Sequence, residues 1–164
     1  MKTESMEYKR ISALLTGVLA GLSLFAGTAT WKTNPASSDW TSGGNYEEGS
    51  APSAGDTVVI QEGCTVSLAD TDGPSWTLAS SLTMVDLGSG AKLVVSVSGE
   101  TATLACGIAY NANVWHPAAT LEKTGDGELV LTRNSGENDY GINLCVSAGD
   151  LRMIRSRTTY CSGD

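Results

Sequence analysis

From Thr57 onward the chain alternates short apolar runs with turn-forming residues. Candidate strands are 57–60, 64–68, 76–78, 82–87, 92–97, 101–108, 128–132, 144–146 and 151–154. Each is rich in Val, Leu, Ile and Thr and bounded by Gly, Ser, Asp or Asn. Beyond the first 25 residues no segment shows a 3.6-residue period, so no α-helix is expected there. Short strands at this spacing suit a sandwich, a barrel or a β-solenoid. Two features favour the solenoid. Neither Asp72-Gly73 nor Asp126-Gly127 joins two clean strands by a two-residue loop, so the usual hairpin signal is missing. Gly63, Gly90 and Gly127 each stand just before an inward-pointing aliphatic pair. A glycine there can turn a sharp corner between two faces of a coil, and stacked coils then pair their strands in parallel ~4.8 Å apart.

The amino-terminal segment has a different pattern. Lys9 and Arg10 precede an apolar run over 11–25, followed by Ala26-Gly27-Thr28-Ala29. Small residues at −3 and −1 predict a cut after Ala29, and the run is shorter than the ~20 residues that span a bilayer. Residues 1–29 are therefore expected to be a secretory signal-peptide helix, exporting the chain through the Sec pathway to the periplasm, the medium or the outer surface. Residues 30–54 show no period and are dense in Gly, Ser, Asn and Pro, which predicts a turn-rich cap. Coils are expected over 55–153, and over 154–164 the pattern dissolves into a polar tail.

The net charge of −8 becomes one unit more negative without the leader, because Lys2, Lys9 and Arg10 there outnumber Glu4 and Glu7. Nucleic acid and anionic membrane are poor partners for such a surface, and no membrane insertion of the mature chain is expected. The sole phenylalanine lies in the leader. A thick core is hard to fill without large aromatics, whereas thin coils of Val, Leu, Ile and Ala need none. The four cysteines would meet an oxidising compartment. Alternation places Cys64 with Val66 and Leu68, and Cys106 with Leu104 and Ile108. Both point inward, either as small buried hydrophobes or as a Cys64–Cys106 bridge between coils.

The stretch 120–153, TLEKTGDGELVLTRNSGENDYGINLCVSAGDLRM, holds the one specific motif. Lys123, Gly125, Gly127, Leu129, Leu131, Asn138, Tyr140, Val146, Gly149 and Leu151 match the spacing of a repeat of the form LxKxGxGxLxLxGxNxYxGxTxVxxGxL. The stretch resembles the passenger-associated transport repeat of bacterial autotransporters and related secreted β-helix proteins. Gly141 comes one residue early for that pattern, and Leu144 stands where threonine is common. Asp39-Trp40, Asn45, Tyr46, Gly49, Pro52 and Gly55 to Ile60 are likewise similar to the start of such domains, where this stretch caps the open end. The resemblance implies an all-β fold, a single-stranded right-handed parallel β-helix with an N-terminal cap. It makes Gly125, Gly127 and Gly149 corner residues with unusual backbone angles, Leu129, Leu131, Val146 and Leu151 core, and Asn138 and Tyr140 turn-fixing groups. It also implies an N-terminal fragment of a longer passenger, one that a membrane barrel or anchor attaches to the cell.

Candidate chemistry is sparse. His116 is the lone histidine, in a loop beside Trp115, and no nucleophile motif or second histidine supports a triad or a zinc centre. Asp70-Thr71-Asp72-Gly73 has the spacing that opens a calcium loop but lacks the remaining acidic ligands, so a solvated turn is expected. No pair of carboxylates stands out for glycoside chemistry. Trp76 and Trp115 are the candidates for stacking on a sugar ring, against a packing role for each. The expectation is a non-catalytic surface or adhesin-type scaffold without metal or cofactor, binding host or environmental glycans or surface proteins. The alternatives are a carbohydrate-binding module and a polysaccharide-degrading β-helix enzyme.

Overall fold

The computed structural model describes residues 26–109, 119–132 and 142–154. They form three all-parallel sheets and one α-helix. The strands are β1 Thr28–Trp31, β2 Thr57–Ile60, β3 Thr65–Ala69, β4 Met84–Leu87, β5 Lys92–Ser96, β6 Thr101–Leu104, β7 Gly107–Ala109, β8 Thr120–Thr124, β9 Glu128–Thr132, β10 Asn143–Val146 and β11 Asp150–Ile154. The helix α1 spans Gly73–Ser81, between β3 and β4.

The first sheet has the order β1-β2-β4-β7, the second β3-β5-β8-β10 and the third β6-β9-β11. From β2 onward strands adjacent in sequence lie in different sheets, and from β4 to β9 the chain visits the first, second and third sheets in turn, whereas β1 and β2 pair within the first sheet. Side-chain bonds between neighbouring strands accordingly join distant residues: Thr101 and Glu128 are 27 apart, and Lys92 and Glu122 are 30 apart. The register keeps inward positions in columns. Val66, Leu93, Leu121 and Leu144 form one, and Leu68, Val95, Lys123 and Val146 the next. Alternation explains the burial in β2 to β5 and β8, where one face of the strand turns inward, while β9 buries Leu129, Val130 and Leu131 together. Ile60, Leu68, Leu87, Leu93, Leu104, Leu121 and Leu129 are all fully buried.

Glycines turn the corner from the first sheet to the second. Gly63 (φ +69°) and Gly90 (φ +67°) occupy equivalent places after β2 and β4, as their position before the aliphatic pairs predicts.

Four expectations are corrected here. The segment expected as strand 76–78 lies in α1, so the expectation of no helix outside the leader fails. Asp72-Gly73-Pro74 starts the helix, with proline in its first turn, where its missing N–H costs nothing. Only Ser75 and Ala79 are fully buried in it, too few to write an apolar stripe. Its place in the chain order is that of a strand of the third sheet, and it packs against β6, the edge of that sheet. The run 101–108 is two strands: β6 and β7 belong to different sheets, and the chain turns at Ala105 and Cys106. Cys64 and Cys106 are free thiols, not a bridge. Cys64 sits at the passage from the first sheet to the second, whereas Cys106 sits at the passage from the third to the first. Val146, expected as core, is 47 % exposed, because β10 pairs with β8 on one side and with no described strand on the other.

The leader residues 1–25, Trp115 and His116, Asn138 and Tyr140, Cys161 and most of the tail lie outside the described residues.

Candidate functional site

Chemistry concentrates at the two ends of the sheets and along the corner from the second sheet to the third. At the amino-terminal end, Trp31, Trp40 and Tyr46 form a closed aromatic cluster. Trp31 meets Trp40 at 5.3 Å between ring centroids and Tyr46 edge-on at 5.1 Å. The Trp40 indole N–H donates to Ser67 O at 3.0 Å, which seats the cluster over β3, and the Tyr46 hydroxyl donates to Trp40 O at 2.8 Å. Burial and the nearby Asp39 charge raise the Tyr46 hydroxyl far above its ordinary range. Asn45 is buried with its amide satisfied by Ser37 and Asp39. All three rings are fully covered, so this surface is packing and offers no face to a sugar.

Asp39 accepts from the Thr41 hydroxyl at 2.7 Å and the Ser75 hydroxyl at 3.1 Å. The Thr41 bonds, side chain first, hold its carboxyl below the ordinary carboxylate range. Ser75 in turn accepts from Trp40 N, so it ties the cap to α1. Trp76 is half-buried against the core rather than displayed from a loop. Among the described residues no His, Cys, Asp and Glu cluster could hold a metal ion. The calcium-like reading of Asp70 and Asp72 has a structural answer: Asp72 accepts from Ala69 N at 3.0 Å, and Asp70 braces the turn between β5 and β6.

The second-to-third corner is the most elaborate local structure. Asp70 accepts from Ser98 N, the Ser98 hydroxyl and Gly99 N at 3.0–3.1 Å. Burial would raise its pKa, but these bonds outweigh it and lower it. A carboxylate favoured in the folded state contributes stability that is full above its unfolded pKa and is lost as pH falls through the folded one. Acid titration of unfolding should therefore show less loss of stability below pH 4 in Asp70→Asn than in the unsubstituted chain.

On β8, which pairs with β5, Lys123 is fully buried. Its ammonium donates to Thr124 O and Gly125 O at 2.7 Å each and to Ala148 O at 3.1 Å. Three N–H groups meet three carbonyls, so the buried charge is solvated by backbone dipoles at the turns. The bond to Ala148 joins β8 to the turn between β10 and β11. Sequence reasoning had Lys123 only as a repeat position, although the signal was present, because Leu121 and Lys123 share the inward parity of β8.

Three repeat glycines line the same corner. Gly125 (φ +77°) and Gly149 (φ +66°) have the backbone angles expected of them. Gly127 does not, which corrects that reading: its φ is not positive, and close approach is what excludes a side chain. A Cβ there would overlap Gly99 O and lie 2.8 Å from Val97 Cγ1. Leu129 and Leu131 are buried as expected, and Leu151 is half-buried in β11.

At the far end, Leu144, Val146 and Ile154 are the exposed large hydrophobics among the described residues. Leu144 and Val146 continue the columns of buried Leu121 and Lys123, so their exposure comes from position in the stack and not from facing outward. Two ion pairs lie on the outward faces: Glu122 pairs with Lys92 at 3.1 Å and accepts from Ser147, and Arg152 pairs with Glu128 at 2.9 Å, with Ile154 exposed on the same face of β11 as Arg152.

The thiols differ in the same way. Burial pushes Cys106 up to about 12, whereas Cys145 lies exposed on β10. Alkylation of the folded chain at neutral pH should label Cys145 and leave Cys106 unmodified until denaturant is added, as read by peptide mass.

No helix among the described residues is long and apolar enough to cross a membrane. Comparison with family models, with curated proteins and with solved structures returns no match.

Proposed function

We propose that this chain is a non-catalytic scaffold, a single-stranded right-handed parallel β-helix of the kind found in autotransporter passengers and surface adhesins. It is exported, and it forms the first coils of a longer passenger that presents binding loops to glycans or surface proteins. The rotation of the chain through three parallel sheets supports the coil reading, and parallel crossovers are right-handed in nearly all known cases. The observation that carries the proposal is that Leu144 and Val146 prolong buried rows yet stand exposed, with no described strand paired on the far side of β10. Cap and α1 cover the starts of the rows, so growth is one-directional.

Two experiments test it. Protease shaving of intact cells should remove the domain, and reading the gene past the codon for Asp164 should reveal further glycine-spaced repeats. Protection from shaving together with no repeat in any downstream frame would overturn the passenger reading. Glycan-array binding lost in Trp76→Ala or Trp115→Ala would transfer the chain to the carbohydrate-binding class.

A further inference from the structure

The fold begins before the position that the spelling of the leader selects for processing. A cut after Ala29 would divide β1, since Thr28 and Ala29 are paired in register with Thr57 and Val58. Ala29 is 5 % exposed, within the core, and Val58 beside it is fully buried. Removing these residues would also take away Gly27 O, the acceptor of Thr57 N at 2.9 Å. Ala26 and Gly27 are exposed and outside any strand. Ala26, the first small residue after the apolar run that ends at Phe25, puts a small residue at −1 but Leu24 at −3, so a cut there answers to the integrity of β1 and not to the A-x-A spelling.

We propose that the leader is removed by hydrolysis of the Ala26–Gly27 bond, and that the new amino terminus docks on Asp56. The proposal rests on the export reading above. A leader peptidase adds water across the amide, so Ala26 leaves with a carboxylate and Gly27 gains an α-amino group that is protonated at neutral pH. The seat for that group exists: Gly27 N lies 2.6 Å from Asp56 Oδ1, while Ser53 N holds Oδ2 at 2.7 Å. Cleavage converts a neutral amide donor into an ammonium against the same carboxylate, a stronger charge-assisted bond. Glycine suits this place, because a Cβ at Gly27 would already press on Asp56 Oδ1 at 3.2 Å. The processed chain retains all of β1.

The full chain, expressed with its own leader in a bacterium and recovered from the periplasm, gives the answer by intact mass and amino-terminal sequencing. The expected terminus is Gly27. Ala26→Leu, which places a large residue at −1, should leave the precursor uncut, and Ala29→Leu should leave the cut unchanged. A terminus at Thr30, or the reverse response of the two variants, overturns the proposal while leaving export intact. An uncut chain confined to the cytoplasm overturns the export reading and the processing site with it.

Discussion

Gly127→Ala should abolish the cooperative fold or lower its stability by about 4 kcal/mol, the range reached by overpacking a site that cannot yield. The added methyl meets Gly99 O in the preceding coil, and that carbonyl is fixed because Gly99 N is bound to Asp70. Backbone cannot swing aside as a flexible side chain can. The contact also falls where Gly127 N donates to Val97 O at 3.0 Å, so relief by moving the coils apart breaks a bond that joins them. Gly63→Ala is the internal control: it pays only the cost of a positive φ, about 1 kcal/mol, because nothing lies within 4 Å of a Cβ there. Urea unfolding of the two variants should separate them clearly, and equal losses would remove the close-approach account of Gly127.

Lys123→Met should cost about 3 kcal/mol although methionine is apolar and only one atom shorter. Methionine leaves the carbonyls of Gly125 and Ala148 without their Lys123 donor, while Thr124 O keeps its bond from Val97 N, and each carbonyl left unpaired away from water costs about 1–3 kcal/mol. Relief from burying a charge offsets part of this, which keeps the net below the sum. The loss should be local in origin, because Ala148 O belongs to the turn between β10 and β11. Hydrogen exchange in Lys123→Met should therefore quicken first at Ser147 N, which donates to Lys123 O, and at Asp150 N, which donates to Gly127 O. Uniform quickening across all three sheets would mean that Lys123 stabilises the whole stack rather than joining two coils.

Strand positions were legible wherever burial alternates, as in 57–60, 64–68 and 92–97, because a half-buried strand writes its period of two into the sequence, and in 128–132 through the continuous apolar run Leu129-Val130-Leu131, all of it buried. The corner glycines at Gly63, Gly90, Gly125 and Gly149 were legible for a related reason, since few other residues adopt positive φ. Helix α1 was not, because it covers a sheet edge with two small buried residues and presents no apolar stripe. Nor was the division of 101–108 into β6 and β7, where unbroken β-propensity conceals a change of sheet at Cys106. Strand β1 was hidden by overlap, as Thr28 and Ala29 also spell the end of a leader. At the corner, the residue types of the repeat were readable, but the use of Lys123 depends on carbonyls brought in from Ala148, 25 residues away. Local pattern carries no information about such a partner.

Cross-strand nuclear Overhauser contacts in the isotopically labelled chain test the stacking most directly. The second sheet predicts a continuous parallel ladder, with backbone contacts from Thr65 to Lys92, from Lys92 to Thr120 and from Thr120 to Asn143. Antiparallel contacts between β4 and β5 or between β8 and β9, which a sandwich or barrel built from hairpins would require, would contradict it.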